Sequence, residues 1–499
     1  MKKIISIICI GTSLLFFSSC DKNFLEKYPT DQISSETFWK TETDATMGLT
    51  GIYNVMTDHQ AFNNGRRLWD GLSEIAYTKS FPTIAQGIIE SSSGNIIYSI
   101  YADCYVGISR CNIFLANIDN VVMDEQKKLE YKGQALFLRA SFYFILTEFY
   151  GGVPLYTKPV TIDESKVEQS SKEAVVTQIL ADLEQAIANL PNDVYTGHAV
   201  KASALALKAQ VLMHNQKWAE AASAANEIIS GGKFSLYNDY PKMFLKSGQN
   251  NNPEIIFSVR YLNPNASEPT TNEMNADLMG AHSHALAPTK QFINAFECTD
   301  GLPISQSPLY DANNEFNNRD PRLKFTAINL VDFTAKAQPI GETGESFETD
   351  YSCEKAVNWA NGPYSWATKS DQDYIIFRYA QVLLIYAECK NEASGPDQSV
   401  YNAVNLVRAR TGVNMPALPA GLDKAGMRDR IRHERIVELG MEGLHYWDIK
   451  RWRTAETIIP TVQDRGGLFR KFDPAKNYLF PFPLSETDRN PNLMQNPGY

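Results

Sequence analysis

The stretch that decides the fold is residues 198–229, HAVKASALALKAQVLMHNQKWAEAASAANEII. Small and apolar side chains recur there at helical spacing on both sides of a short polar turn, His214-Asn215-Gln216. The alanines allow two antiparallel helices to approach closely, and Trp218 at the start of the second helix covers the seam, as in tetratricopeptide-type hairpins. The pattern therefore predicts a helical solenoid built from packed helix pairs.

Other long helices are predicted on both sides of this hairpin. Between Tyr131 and Tyr150 the apolar residues cover nearly the whole helix circumference, so this helix must be buried on more than one side. Gly151-Gly152 ends it, and Pro154 prevents it from resuming. Helical patterns also mark four further segments: Val175–Leu190, Tyr374–Glu392, Ser399–Arg410 and Lys424–Leu439.

Residues 251–373 have a different character. They are dense in Pro, Gly, Asn, Ser and Thr, with short apolar runs such as Ile255–Val259, which predicts loops and short strands. No linker is long enough to separate domains. We therefore expect a mainly α fold in a single unit, residues 20–499, with the parts in this order: helical scaffold 20–250, loop-rich insert 251–373, helical scaffold 374–460 and C-terminal tail 461–499.

The first twenty residues predict export and a lipid anchor. Lys2 and Lys3 precede an apolar stretch that ends in Ser18-Ser19-Cys20, which is typical of a signal peptide over residues 1–19. The stretch LFFSSC (15–20) resembles a bacterial lipobox, and this resemblance implies acyl chains on Cys20 that anchor the protein to a membrane without spanning it. No later stretch approaches the ~20 apolar residues of a spanning helix.

Composition excludes one class of partner and limits disulfides. The 499 residues are 43% hydrophobic and 21% charged, and the formal net charge of -10 argues against a nucleic acid partner, which needs a basic surface. Five cysteines remain beyond Cys9 and Cys20, an odd number that cannot pair completely. We expect buried thiols at Cys104, Cys111, Cys298, Cys353 and Cys389.

Several ordered motifs resemble one family over nearly the whole chain. They are DKNFLEKYP (21–29), ALFLRASFYFILTEFYGGVP (135–154), NRDPR (318–322), RYAQVLLIYAE (378–388), IRHERIVELGMEGLHYWDIKRW (431–452) and NPNLMQNPGY (490–499). In this order they resemble the SusD/RagB-like nutrient-binding lipoproteins of Bacteroidetes.

The resemblance implies a scaffold of about four tetratricopeptide-like helix pairs, with loops between them forming the ligand face. It also implies a surface-exposed location on the outer membrane and a partner, a TonB-dependent SusC-like outer-membrane barrel. Such a protein would pass an oligosaccharide or polysaccharide to that barrel and would catalyse nothing. Some members bind peptides, and that alternative stays open.

If the ligand is a sugar, exposed aromatic faces should stack on it while amides and carboxylates bond its hydroxyls. Two clusters in irregular sequence have the required residue types. The candidate ligand-binding residues are Trp69, Tyr77 and Phe81 in the first cluster, and Trp359, Asn361, Tyr364 and Trp366 in the second. The second cluster is the better candidate, because a short Gly-Pro loop with three large rings cannot easily bury all of them.

A catalytic alternative, a secreted hydrolase on a helical scaffold, would need two carboxylates about 5 to 9.5 Å apart in a cleft. No pair stands out in the sequence, so we expect no catalytic residue.

Metals and cofactors have no motif either. His433-Glu434 begins like a zinc motif, but Val437 stands where the second histidine would be. Calcium has no EF-hand pattern to support it, and no cofactor is expected. Two charged segments are assigned structural roles: Asn318–Arg322 as a bend held by charge-assisted bonds, and Arg432, Arg435, Glu438 and Glu442 as a charge network on a helix surface.

Overall fold

The computed structural model describes residues 38–58, 61–263, 267, 277–342, 347–464 and 466–499. The predicted signal peptide and Cys20 lie outside these residues. Nine helices of eleven or more residues run through the described ranges: α1 Glu42–Asp58, α2 Asn95–Asn117, α3 Glu125–Tyr150, α4 Lys172–Asn189, α5 Lys201–His214, α6 Trp218–Gly231, α7 Tyr379–Ser394, α8 Gln398–Arg408 and α9 Lys424–Leu439.

These helices form a continuous stack, as the sequence pattern predicts. Each of α2 to α7 packs on the next of these helices in the chain, and α7 also packs on α9. The α5–α6 hairpin has its alanines buried and its turn where it was predicted. At Gly107 of α2 an added Cβ would lie 2.3 Å from the Phe142 ring of α3, so a glycine is required for this close approach. The prediction of a mainly α, helix-pair scaffold is confirmed.

Local sequence fixes the ends of the longest helix, α3. Asp124 caps its start, because the carboxylate accepts a hydrogen bond from the Lys127 backbone N–H. Gly151 ends it with a φ of 75°, a conformation that favours glycine. Of its residues, Phe137, Phe142, Tyr143 and Phe149 are fully buried, in agreement with a helix that is apolar nearly all round.

Six short strands form three antiparallel pairs within the described ranges. They are β1 Ala76–Thr78, β2 Ile255–Val259, β3 Leu286–Pro288, β4 Ala327–Asn329, β5 Tyr351–Cys353 and β6 Tyr374–Arg378, paired as β1–β3, β2–β6 and β4–β5. The prediction that a helix begins at Tyr374 is wrong: residues 374–378, YIIFR, pair with β2, and the helix begins at Tyr379. Aromatic and β-branched residues in a fully buried segment favour the strand.

Shorter helical turns connect these elements. The α-helical ones are Pro82–Ala85, Tyr240–Met243, Lys290–Ala295, Leu323–Thr326, Leu330–Ala337, His445–Arg451, Ala455–Ile458 and Leu484–Arg489. The 3₁₀ turns are Asn64–Leu72, Ile118–Asn120, Lys246–Gly248, Gln338–Ile340, Trp359–Asn361 and Ile459–Thr461, and Leu278–His282 is a π turn.

The five cysteines of the described chain are buried free thiols, as predicted. No helix in the described ranges combines the length and the apolar character that crossing a membrane would require.

The prediction that Arg432, Arg435, Glu438 and Glu442 form a charge network on a helix surface is wrong for most of its members. Arg435, Glu438 and Glu442 are buried, with Glu438 completely inaccessible. The reason is that partners of opposite charge from other parts of the chain cover these side chains. Asp448 accepts from Arg435, and Arg378 donates to both Glu438 and Glu442. A buried carboxylate is tolerated only where such partners compensate its lost hydration.

Glu438 lies at the centre of this buried network. Its carboxylate accepts hydrogen bonds from Arg322 (2.9 Å), Arg378 (2.6 Å) and Arg410 (2.8 Å). Although burial opposes ionisation, Arg410, Arg378 and Arg322 together hold the pKa of Glu438 well below its usual value. Glu434 adds a second carboxylate, 2.6 Å from Arg322.

The segment Asn318–Arg322 holds its loop by charge-assisted bonds, as predicted. Arg322 donates to Asp320 (2.7 Å) as well as to the α9 carboxylates. Arg319 donates to the backbone carbonyls of Ile293 (2.6 Å) and Phe296 (2.7 Å). The loop-rich insert is thus tied to the helical scaffold through buried guanidinium groups.

We expect Glu438→Gln to lower the free energy of unfolding by about 3–5 kcal/mol, because it leaves three buried arginines short of one negative charge. Urea denaturation at pH 7 measures this. The lowered pKa means that Glu438 contributes stability above the unfolded pKa of about 4.3 and loses it as the pH falls. The difference between wild type and variant should therefore shrink as the pH falls towards the low pKa of the folded carboxyl.

Glu184→Gln is the matched control. Its carboxylate pairs with Lys208 at 2.6 Å, but the Glu184 side chain is 60% exposed. An exposed pair contributes about 0–1 kcal/mol, so this variant should unfold almost as wild type does. If Glu438→Gln and Glu184→Gln lowered the free energy of unfolding equally, Glu438 would not have the central role assigned to it.

Candidate functional site

A groove of about 630 Å³ lies on the insert side of the molecule. We call it the Tyr77 groove, and its lining residues used below are Tyr77, Lys290, Phe347, Glu348, Asp350, Tyr351, Gln463 and Asp464. Its volume falls in the range of ligand sites, about 300–1,000 Å³. It combines aromatic rings with carboxylate, ammonium and amide groups.

Backbone pairing and one buried ion pair position the walls of this groove. Tyr77 is the middle residue of β1 and lies opposite Ala287 of β3. On the other wall, Arg470 holds the Asp464 carboxylate at 2.8 Å and donates to the backbone carbonyl of Ser73 at 2.7 Å. This link fixes the loop that carries Gln463 beside the segment that leads into β1.

A polar triad stands at the side of the groove. The Tyr351 hydroxyl donates to the Glu315 carboxylate at 2.6 Å, and Lys290 lies 3.1 Å from the same hydroxyl and pairs with Glu315. Burial and the bond to Glu315 raise the pKa of Tyr351 to about 12, so the hydroxyl stays protonated at neutral pH. The groove therefore offers fixed hydrogen-bonding groups beside its rings.

The second predicted cluster is also assembled, in the loop 359–366. The Trp359 indole N–H donates to the Glu354 carboxylate at 3.1 Å, and the Asn361 amide donates to Asp277 at 2.8 Å. Burial raises the pKa of Asp277 to about 6. Trp366 is 48% exposed and meets the His282 ring edge to face, with centroids 5.2 Å apart. Of the three rings in this loop, Trp366 is the one that faces solvent most openly.

Aromatic contacts connect the two clusters. Phe347 in the groove wall lies 5.1 Å from Phe333, centroid to centroid, and Phe333 lies 5.6 Å from Trp359. His284 stacks on Phe347 at 4.0 Å. The Tyr77 groove and the Trp366 loop thus share an aromatic layer beneath them.

Three predicted ring positions are corrected, because these side chains are not exposed faces. Trp69 is 1% exposed, between Phe149 and Trp447, on a 3₁₀ helix rather than in an irregular loop. Phe81 is 3% exposed, and Tyr364 is 7% exposed with its hydroxyl bonded to the Asn358 carbonyl. In each case tertiary packing provides an apolar surround that the local sequence does not reveal. Ligand contact stays a prediction for the accessible members, Tyr77, Trp359, Asn361 and Trp366.

Sequence reasoning missed much of the groove. Lys290, Glu348, Tyr351 and Gln463 come from separate elements, and no motif or spacing joins them. The one available signal was the alternation of short strands with polar turns, which indicates loops but not which loops meet. Within the described residues, no group of three His, Cys, Asp or Glu side chains is placed to hold a metal ion.

Two family models match successive parts of the chain. One, described as "SusD family", matches residues 253–499, and the other, described as "Starch-binding associating with outer membrane", matches residues 23–213.

Individual relatives match over most of their length. SusD-like protein P25 of Formosa agariphila is 25% identical over 99% of both chains. The starch-binding protein SusD of Bacteroides thetaiotaomicron is 23% identical over 80% of this chain and 78% of its own. A SusD-like carbohydrate binding protein of Bacteroides fragilis superposes with a TM-score of 0.79 at 26% identity, covering 92% of this chain and 100% of that chain. The order of motifs, the helical scaffold and these matches agree: the chain belongs to the SusD family.

Proposed function

We propose that this protein is a lipid-anchored binding protein of the outer cell surface that captures a glycan in the Tyr77 groove and at Trp366. It then passes the glycan to a TonB-dependent SusC-like barrel and performs no chemistry on it. The observation that carries the proposal is the Tyr77 groove itself, where ring faces stand beside fixed hydrogen-bonding groups. Pyranose rings need this combination, since their C–H faces stack while their hydroxyls require partners.

The relatives support the choice of ligand class. One is named a starch-binding protein and another a carbohydrate binding protein. The alternatives are a peptide ligand and a hydrolase. A hydrolase would need a carboxylic acid free to donate a proton in the cleft. Asp464 does not suit that role, because Arg470 holds its carboxylate at 2.8 Å.

The groove residues make the proposal testable. We expect Trp366→Ala and Tyr77→Ala each to weaken retardation by the bound polysaccharide in affinity gels roughly tenfold, the change that loss of about 1.4 kcal/mol produces. A panel of neutral and acidic polysaccharides, run first with the wild type, identifies the ligand to use.

Tyr98→Ala is the matched control, since Tyr98 is 42% exposed on α2 and does not line the groove. It should migrate as wild type. If both Trp366→Ala and Tyr77→Ala also retain full affinity, this face is not the glycan site.

The anchor has a separate test. Cells that express the wild type should incorporate radiolabelled palmitate into the protein, and Cys20→Ser should abolish the label and release the chain from the membrane fraction. Equal labelling of the two proteins would contradict a lipid on Cys20.

Catalysis is tested by incubating the retained polysaccharide with the purified protein. Chromatography should show no new products over the time in which a glycoside hydrolase completes digestion. Product formation that a groove variant such as Tyr77→Ala abolishes would favour the hydrolase.

A further inference from the structure

A second cleft, of about 520 Å³, lies on the helical part of the fold and shares no lining residue with the Tyr77 groove. It is bounded by α2, by the loop that follows α3 and by the C-terminal tail. We call it the Tyr156 cleft. Its volume falls in the range of small-molecule sites, about 300–1,000 Å³. Nothing in the proposed glycan function uses it.

Aromatic rings and aliphatic side chains line this cleft. The rings of Tyr101, Tyr105 and Tyr156 follow one another, with centroids 4.7 Å and then 5.8 Å apart. Val160 and Ile162 line the same cleft and are 37% and 82% exposed. A ligand with an apolar surface would remove these side chains from water, which is favourable in proportion to the area covered.

Hydrogen bonds hold the cleft in a preformed shape. The side-chain amide of Asn490 donates to the Val167 carbonyl at 2.8 Å, and that of Asn492 donates to the Lys166 carbonyl at 2.7 Å. The tail and the loop are therefore fixed to each other. A ligand would enter this site without first having to order its walls.

The polar groups among the rings already donate to protein carbonyls. The Tyr105 hydroxyl donates to the Pro154 carbonyl at 2.7 Å, and the Tyr156 hydroxyl donates to the Ser165 carbonyl at 2.5 Å. The Asn112 amide donates to the Tyr156 carbonyl at 2.9 Å. A sugar hydroxyl that entered here would lose its hydrogen bonds to water and receive none from these groups.

The charges at the rim of the cleft balance one another. Three cationic side chains line the rim, and each has an acidic neighbour: Lys158 with Glu164, Lys166 with Asp163 at 3.8 Å, and Arg489 with Glu486 at 3.3 Å. A charged head group would therefore have to compete with a partner that is already in place. The rim gives neither an anion nor a cation an advantage, and an ion held without a partner is costly.

We propose that the Tyr156 cleft binds an uncharged, largely apolar small molecule, whose rings or alkyl chain cover the tyrosine faces and the Ile162 side chain. Apolar area is what this site can recognise, since its polar groups and its charges are already paired within the protein.

Fluorescence titration of the full mature chain with N-phenyl-1-naphthylamine, an uncharged probe that brightens in apolar surroundings, tests the proposal. We expect saturable one-to-one binding at pH 8. Decanol should displace the probe at concentrations at least roughly tenfold lower than decanoate or decyltrimethylammonium, because an ionic head group gains no partner at the rim. The two ions should compete within roughly threefold of each other, because the rim charges are equal in number.

A matched pair of surface variants localises the site. Ile162→Ser removes an apolar side chain that lines the cleft, and it should lower probe affinity roughly three- to tenfold. Val122→Ser is the control, since Val122 is 83% exposed, as Ile162 is 82% exposed, but does not line the cleft. Both side chains are on the surface, so neither change should affect folding, which circular dichroism checks. Ser109→Trp, which fills the cleft from α2, should lower probe affinity at least roughly tenfold.

Absence of saturable probe binding, equal affinities of Ile162→Ser and Val122→Ser, or a preference of more than roughly tenfold for one of the two ions would overturn the proposal. Displacement of the probe by an oligosaccharide would also overturn it, because the cleft would then be a second sugar site.

Discussion

The buried carboxylate of Glu438 is the constraint on which the rest of this structure depends. A charge without water must be compensated by partners, and here the partners come from far apart in the chain. Arg322 belongs to the insert, Arg378 ends β6 and Arg410 follows α8, while Glu438 itself lies near the end of α9. Guanidinium groups suit this role because each can bond two or three oxygens at once. Their convergence sets the position of the insert on the scaffold.

That position determines what the insert can present to a ligand. Lys355, just after β5, donates to the Gly440 carbonyl at 2.8 Å and to the Glu442 carboxylate at 2.9 Å, next to the Glu438 network. The strand β5 that carries Tyr351 is therefore held from its far end by the same buried charges. Recognition groups on rigid supports lose less entropy on binding than groups on free loops. The side of the loop-rich insert that faces α9 is thus fixed by buried charges, and its opposite side is left to form the solvent-facing surface.

Much of the fold could be predicted because its signals are local. Helical spacing in the 198–229 hairpin and the glycines after Tyr150 each act within a few residues, and the elements formed as expected. The start of α7 was misplaced because residues 374–378 become a strand only when β2 lies beside them. The charges of α9 were misplaced for a similar reason. Their helical spacing looked like a solvated face, whereas their partners lie 13 to 116 residues away in the sequence.

The candidate site was harder to predict, because exposure of an aromatic ring depends on the whole fold. Trp69 and Trp366 both occur among glycines and polar residues, yet one is 1% and the other 48% exposed. Trp69 is buried because Phe149 of α3 and Trp447 converge on it from distant segments. A core needs large rings as much as a sugar site does, so residue type alone cannot separate the two uses. A ring is buried where neighbouring residues provide enough apolar surface to cover it, and it stays exposed where they do not. Trp366 has the edge of the His282 ring against it and remains half open. Because the insert that carries this half-exposed ring is held in place by buried charges, the ring is already positioned for a ligand. Covering its exposed face would remove apolar surface from water and so lower the free energy of the complex.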